Sequence, residues 1–491
     1  MGRSGERGNE FFRADYLISH SSIYFIVRAG NGIFAIATLA VFTRLLSPAE
    51  YGIYALGMAI VTVASAICFQ WLSVAIGRFY PMHLDDPANV LEVAARGFWI
   101  AAAAATLLFL GALPLHEVLG VDPALIGILF LITVMLGRYT LSLQLANTQA
   151  APVRYGFLSW AKGGGSLLVG SILIFYGMGY WGALLGFLAG LVLAVRGFSL
   201  RPCAEKKFAR DDIRLSVEML RYGRPLTLNF LAIVVVDVVD RFLIGKFLGI
   251  AYVAPYAAAY ELVQQFIAPT MSILFLAAFP MIVKAFESDG KEATYIHLHA
   301  LGRKLLAVGL PAAVGVGIFA NEISEHIFAD GYRQGAAAIM PWLATSTFIG
   351  AFKSYFFDPM LQLRHAVKYQ GYIAMLMATI NITLNILLLP RYGVIAAAWA
   401  TLSAFTVGAL ASWIACQSMF PMSTLISVFW RSAVACAVMV LVSYLLPSSS
   451  GLMPLLGKVA AEIVTYAVMV AVLDMRGCRE LIINFIRQHV R

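Results

Sequence analysis

Fourteen apolar stretches, each about as long as a membrane-spanning helix, follow one another along this chain with short polar breaks between them. They lie at 16–42, 52–77, 93–113, 123–146, 155–176, 180–198, 225–248, 253–283, 301–321, 336–357, 367–389, 392–415, 428–446 and 453–474. Crossing the hydrocarbon core takes roughly 20 apolar residues in a helix. A backbone inside lipid must satisfy its own polar groups, which leaves helices or closed barrels. Runs this long and unalternating predict an all-α integral membrane protein. The charged fraction agrees: 12% of 491 residues, where soluble proteins carry about 25%.

The breaks carry turn chemistry: Ser47-Pro48, Asp86-Pro87, Asp122-Pro123, Gly177–Gly179, Pro390 and the 447–451 run. The Gly177–Gly179 and Pro390–Gly393 turns are short, so two tight hairpins are expected. With the N-terminus inside, 25 of the 35 Lys and Arg fall on inner loops and span ends and 5 on the outer side. That bias predicts a multi-pass protein with both termini cytoplasmic. The polar, basic Met1–Asp15 lacks a cleavable-leader pattern, so the first span is expected to act as an uncleaved anchor. The net charge of +9 is scattered at span ends; it reads as an orientation signal, and no nucleic-acid partner is expected. The five cysteines form no CxxC pair and read as small buried hydrophobes rather than disulfides or metal ligands.

Four cations interrupt the apolar stretches: Arg28, Arg138, Lys162 and Lys353. A charge at the bilayer centre costs about 2.5–3.5 kcal/mol even on a lenient scale, so such residues face a cavity or a partner. A cationic interior points to an anionic substrate, and a guanidinium matches phosphate oxygens bidentately. The competing structural readings are backbone carbonyls for Arg28, snorkelling for Lys162 and a simple pair with Asp358 for Lys353. Gly163–Gly165 beside Lys162 lets another backbone approach.

Asp237, Asp240 and Arg241 share the seventh span, and Asp237 and Arg241 stand i, i+4, so they can pair along the helix. Asp237, Asp240 and Glu261 are the candidates for coupling transport to an ion gradient, since a buried carboxylate can load and release a proton. Asn229, Gln264 and Gln265 are candidates for hydrogen bonds to sugar hydroxyls, or for helix–helix contacts.

The chain repeats itself. At an offset of 202, Arg44, Leu46, Ala49 and Tyr54 fall on Lys246, Leu248, Ala251 and Tyr256. At 214, Arg154-Tyr155 falls on Lys368-Tyr369 and Gly182-Ala183 on Ala396-Ala397; Arg138 lands within one residue of Lys353. Two pseudo-symmetric six-helix lobes are therefore expected, 1–198 and 225–415, joined by a cytoplasmic connection at 199–224. Residues 416–491 add two C-terminal helices and a tail. Repeated bundles around a mid-membrane site are the design of alternating-access transporters.

The stretch Thr43-Arg44-Leu45-Leu46-Ser47-Pro48-Ala49-Glu50-Tyr51-Gly52-Ile53-Tyr54-Ala55-Leu56, with Asp240-Arg241, Gly245 and Leu248-Gly249, and Gly331-Tyr332-Arg333-Gln334-Gly335-Ala336, resembles the polysaccharide-transporter branch of the multidrug/oligosaccharidyl-lipid/polysaccharide exporter superfamily. That branch includes the O-antigen flippases, and the resemblance extends over nearly the whole chain. It implies two V-shaped lobes in the bacterial inner membrane. It also implies transport of polyprenyl-diphosphate-linked oligosaccharide for surface polysaccharide, whether O-antigen, capsule or exopolysaccharide. Implied partners are the lipid-linked sugar, membrane lipids, and the polysaccharide polymerase and chain-length machinery.

A P-loop pattern is absent, so ion-gradient coupling is expected, without cofactor or resident metal. A multidrug exporter of the same fold is the alternative, though cationic drugs call for an acidic interior. A membrane glycosyltransferase, polymerase or ligase is a third reading, but such enzymes use sizeable outer loops. Here the outer loops are short, and Glu322, Glu325, His326 and Asp330 are their one acidic and imidazole cluster. An assembly scaffold is a fourth.

Overall fold

A computed structural model describes residues 14–116, 122–196, 210–364, 366–417, 420, 423–446 and 451–473. No strand occurs among them. Fourteen long helices run in order: α1 Ala14–Leu45, α2 Pro48–Met82, α3 Pro87–Ala112, α4 Pro123–Thr148, α5 Pro152–Leu173, α6 Gly179–Val195, α7 Arg210–Phe247, α8 Ile250–Lys284, α9 Gly290–Ile318, α10 Asp330–Phe352, α11 Val367–Tyr392, α12 Ile395–Cys416, α13 Ser423–Leu445 and α14 Leu452–Val472. Eleven continuous helical stretches are long and apolar enough to span a bilayer. Two of them, Pro152–Val195 and Ile250–Ile318, hold two helices each. With α7 the expected set of spans is accounted for.

The breaks form where turn chemistry places them. Ser47 caps α2 through a complete capping box with Glu50, and Asp86 and Asp122 cap α3 and α4 before their Pro residues. Gly177, Gly179 and Gly393 take positive φ at the two hairpins, where a side chain would be strained.

The chain divides into two compact units, Met1–Val238 and Val239–Arg491, the division falling inside α7. In the first, α2 packs on α3 and α4, α1 on α5, α4 on α6, and α5 most extensively on α6. The last contact is a glycine crossing: a Cβ on Gly165 would stand 3.0 Å from the Gly190 Cα, so small residues set the approach. The stretch 210–224, expected as part of a connection, begins α7 instead. It is amphipathic, and Leu215 and Met219 bury themselves in the cluster around Leu72 and Phe98.

The second unit repeats four of these five pairings: α8 with α9 and α10, α10 with α12, and α11 with α12. This is the pseudo-symmetry expected from the offsets. The last two helices add on at one place, α13 against α9 and α14 against α13.

Candidate substrate and ion sites

Three of the four cations lie in the first unit. Arg28 follows Val27, whose carbonyl accepts from Trp160 Nε1 of α5 at 3.2 Å. Phe34, two turns on, covers Gly163 and Gly164. The half-buried Arg28 therefore sits on α1 beside its contact with α5. Arg138 is half-buried on α4, and its neighbour Tyr139 turns a ring toward Lys162, 5.2 Å from Nζ. The ring of Phe187 on α6 lies 5.6 Å from the same ammonium. Among the described residues no carboxylate pairs with Lys162. Ring quadrupoles attract a cation by about 0.5–2 kcal/mol, so two aromatic rings hold this side chain where a carboxylate could have stood.

Lys353 is different. Its ammonium donates to both carboxylate oxygens of Asp358, at 2.8 and 3.0 Å, in a turn after α10 where both residues are buried. Gln370 holds the Asp358 backbone carbonyl at 2.7 Å. The pairing raised as a competing reading is the geometry found, so Lys353 brings no uncompensated charge.

Asp240, 1% exposed, lies in a buried polar cluster of the second unit. Its Oδ1 accepts from Asn385 Nδ2 at 2.7 Å. Its Oδ2 accepts from Thr401 Oγ1 at 2.5 Å and from the Tyr256 hydroxyl. Asn381 Nδ2 donates in turn to Thr401 at 3.3 Å. Four helices, α7, α8, α11 and α12, each contribute, and every member is buried. Asn385 Oδ1 has no hydrogen-bond partner, which a buried oxygen rarely lacks without a reason. The carboxylate, hydroxyl and amide oxygens form a hard donor set fit for a proton or an alkali cation.

The remaining candidates fall apart from this cluster. Arg241 reaches Glu261 Oε1 across to α8, at 3.4 Å, with the Tyr260 ring 6.0 Å from its Cζ. Glu261 is 42% exposed there. Gln264 Nε2 donates to the Tyr260 hydroxyl at 3.1 Å, and Gln265 is half-buried on the next position. Asp237 is half-buried on α7. Asn229 lies on α7, but its side chain is outside the described residues. Sequence reasoning missed Tyr256, Asn381, Asn385 and Thr401. Two Asn at i and i+4 inside an otherwise apolar stretch were the available signal.

The second unit also holds an apolar groove of about 670 Å³, lined by Val308, Pro311, Val316, Leu455, Val459 and Ile463 among others. Lys304, His326 and Glu462 supply its few polar groups.

Residues 41–336 match the family described as polysaccharide biosynthesis protein. The chain belongs to that family. Its helices make a multi-pass membrane protein, and its all-α fold recurs among solved transporters. The lipid II flippase MurJ, in an inward closed conformation, superposes with a TM-score of 0.71 at 16% identity, over 96% of this chain and 100% of that one. An inward-facing multidrug resistance transporter of the MATE family gives 0.60 at 14%, over 80% and 98%. A transporter of the same superfamily from Pyrococcus furiosus, noted for a binding pocket of reverse polarity, gives 0.57 at 12%, over 86% and 95%. At these identities the likeness is one of fold. An uncharacterized membrane protein of Methanocaldococcus jannaschii is 23% identical over 231 residues, 45% of this chain and 44% of that protein. The chain thus matches less than half the length of this curated relative.

Proposed function

We propose that this protein is a transporter, a flippase for polyprenyl-diphosphate-linked oligosaccharide, moving it outward across the cytoplasmic membrane for surface polysaccharide synthesis. The observation that carries the reading is Lys162, an intramembrane cation held by aromatic rings instead of a carboxylate. Arg28 and Arg138 join it as the cationic side chains of the first unit that take the diphosphate, with both termini in the cytoplasm. Lys353 is left out, because Asp358 already compensates its charge. The apolar groove of the second unit would hold part of the polyprenyl tail.

Asp240 is the coupling carboxylate in this reading. Loading a proton or sodium ion changes the charge at a point where four helices meet, and so biases their packing. Asp237 and Glu261 are secondary candidates, Glu261 already facing Arg241. Asn229, Gln264 and Gln265 remain the proposed sugar contacts.

The test is leaflet translocation in proteoliposomes, with a polyprenyl-diphosphate oligosaccharide and an outside-added enzyme that modifies exposed sugar. Wild-type protein should accelerate exposure under a proton or sodium gradient, and Arg28→Ala should not. No acceleration under either gradient, by folded protein, would move the reading to the multidrug exporter or to an enzyme acting on lipid-linked sugars.

A further inference from the structure

One face of α2 is polar where the rest of the helix is apolar. Gln70, Ser73, Gly77 and Arg78 recur at helical spacing and open into a cavity of about 350 Å³, closed by Gln144 of α4 and Tyr222 of α7. All six belong to the first unit. Among the described residues no acidic side chain lines this cavity.

The geometry gives each group a task. The Arg78 guanidinium lies over the Tyr222 ring, 4.3 Å from its centroid, and Tyr222 is braced edge-on by Phe79 at 6.0 Å. Arg78 is exposed, and among the described residues no hydrogen bond or ion pair occupies its N–H donors, which leaves them for a phosphate. Gly77 makes room for the Gln144 amide, which would stand 2.6 Å from a Cβ placed there. The nearest donation from that amide, to Thr148 Oγ1, is long at 3.5 Å. It retains capacity for a ligand. Gln70 and Ser73 add an amide and a hydroxyl on the facing wall.

A cation with free in-plane donors, two amides and a hydroxyl, without a carboxylate, match an anionic oxygen next to sugar hydroxyls. We infer that this cavity is a subsite for a glycosyl phosphate: Arg78 takes phosphate oxygens, and Gln70, Ser73 and Gln144 take ring hydroxyls. The volume lies at the low end for ligand pockets, about 300–1,000 Å³, which suits one sugar ring rather than a whole repeat unit. The inference rests on the proposed function and deepens it: the sugar joined to the diphosphate is the part read here. The bare diphosphate is left to Arg28, Arg138 and Lys162.

Equilibrium binding to purified, folded protein tests it without requiring transport. The probes are a short-prenyl hexosyl diphosphate, the same short-prenyl diphosphate without sugar, and free hexose 1-phosphate. Gln144→Ala removes a contact. Gly77→Val fills the cavity at the cost of moving only a flexible side-chain end. Both should weaken the hexosyl probe about tenfold and leave the sugar-free diphosphate unchanged, with hexose 1-phosphate binding more weakly than the prenyl form. Three outcomes overturn the subsite: variants that bind the hexosyl probe like wild type, equal losses for both diphosphates, or no binding by wild type. Hexose 1-phosphate binding as tightly as the prenyl form would do so too, since the occupant would then be a soluble sugar phosphate. Wild type that binds as expected but translocates nothing would sink the flippase and keep the subsite.

Discussion

The two units share one pattern of helix pairings yet place opposite chemistry on it. At the offset of 202, Asp240 and Tyr256 correspond to Thr38 and Tyr54. At 214, Asn385 and Thr401 correspond to Ser171 and Phe187. Thr38 only returns its hydroxyl to the Phe34 carbonyl in its own helix, and Phe187 turns its ring to Lys162. In the reverse direction, Arg28 and Lys162 correspond to Phe230 and Leu376. The second unit has its anion where the first has none, and Arg28 and Lys162 stand where the second is apolar, while Arg138 falls beside the position of the paired Lys353. A duplicated frame can thus separate two tasks. On the proposed function, the first unit attracts the diphosphate and the second responds to the coupling ion.

The largest effect should come from the second unit's anion. Asp240→Ala should remove gradient-driven translocation by at least about 100-fold while leaving binding of a short-prenyl diphosphate within about twofold, measured on the same preparation. Loss of both together would erase the division between units. Next comes Lys353→Met. Breaking a buried pair from one side costs about 3–5 kcal/mol, and replacing both partners with apolar residues is close to neutral. Thermal unfolding in detergent should therefore show a marked drop for Lys353→Met and recovery for Lys353→Met with Asp358→Leu. A double variant as weak as the single would mean that the pair does more than compensate charge.

Lys162→Met sharpens the contrast between the two lysines. It should lower diphosphate affinity about tenfold, roughly 1.4 kcal/mol, without lowering thermal stability, because no carboxylate is left behind. A stability loss matching that of Lys353→Met would make it a structural lysine. The smallest effect belongs to the equivalent turns. Glu50 accepts from the Ser47 backbone N–H at 2.9 Å and from its hydroxyl at 2.7 Å, whereas α8 starts at Gly249, φ 110°, with no side-chain cap. Glu50→Ala should cost about 1 kcal/mol, and Gly249→Ala should destabilise through strain instead. Equal insensitivity at both turns would show that packing alone positions α2 and α8.

What was legible in the sequence follows from how local each feature is. Spans and breaks were readable because length, Pro, Gly and Asp act within a few residues. The Lys353–Asp358 pair was readable for the same reason. The start of α7 was not, since its frequent charges read as a connection until its apolar stripe met Leu72 and Phe98. The Asp240 cluster was half readable: the carboxylate stood out, but its partners Asn385 and Thr401 are 145 and 161 residues away. Nothing short of the folded unit places them beside it.

That distance also sets an order of events during synthesis. Lys353 and Asp358, five residues apart, leave the ribosome almost together and can enter the bilayer as a neutral pair. Asp240 enters on α7 ahead of the other three of its four helices. Its last donor helix arrives only with Thr401. Until then the nascent chain carries an intramembrane acid worth about 2.5–3.5 kcal/mol of insertion cost. A polypeptide truncated before α11 should therefore be a poor tenant of the membrane, visible to its proteases by one carboxyl group that Tyr256 alone must hold.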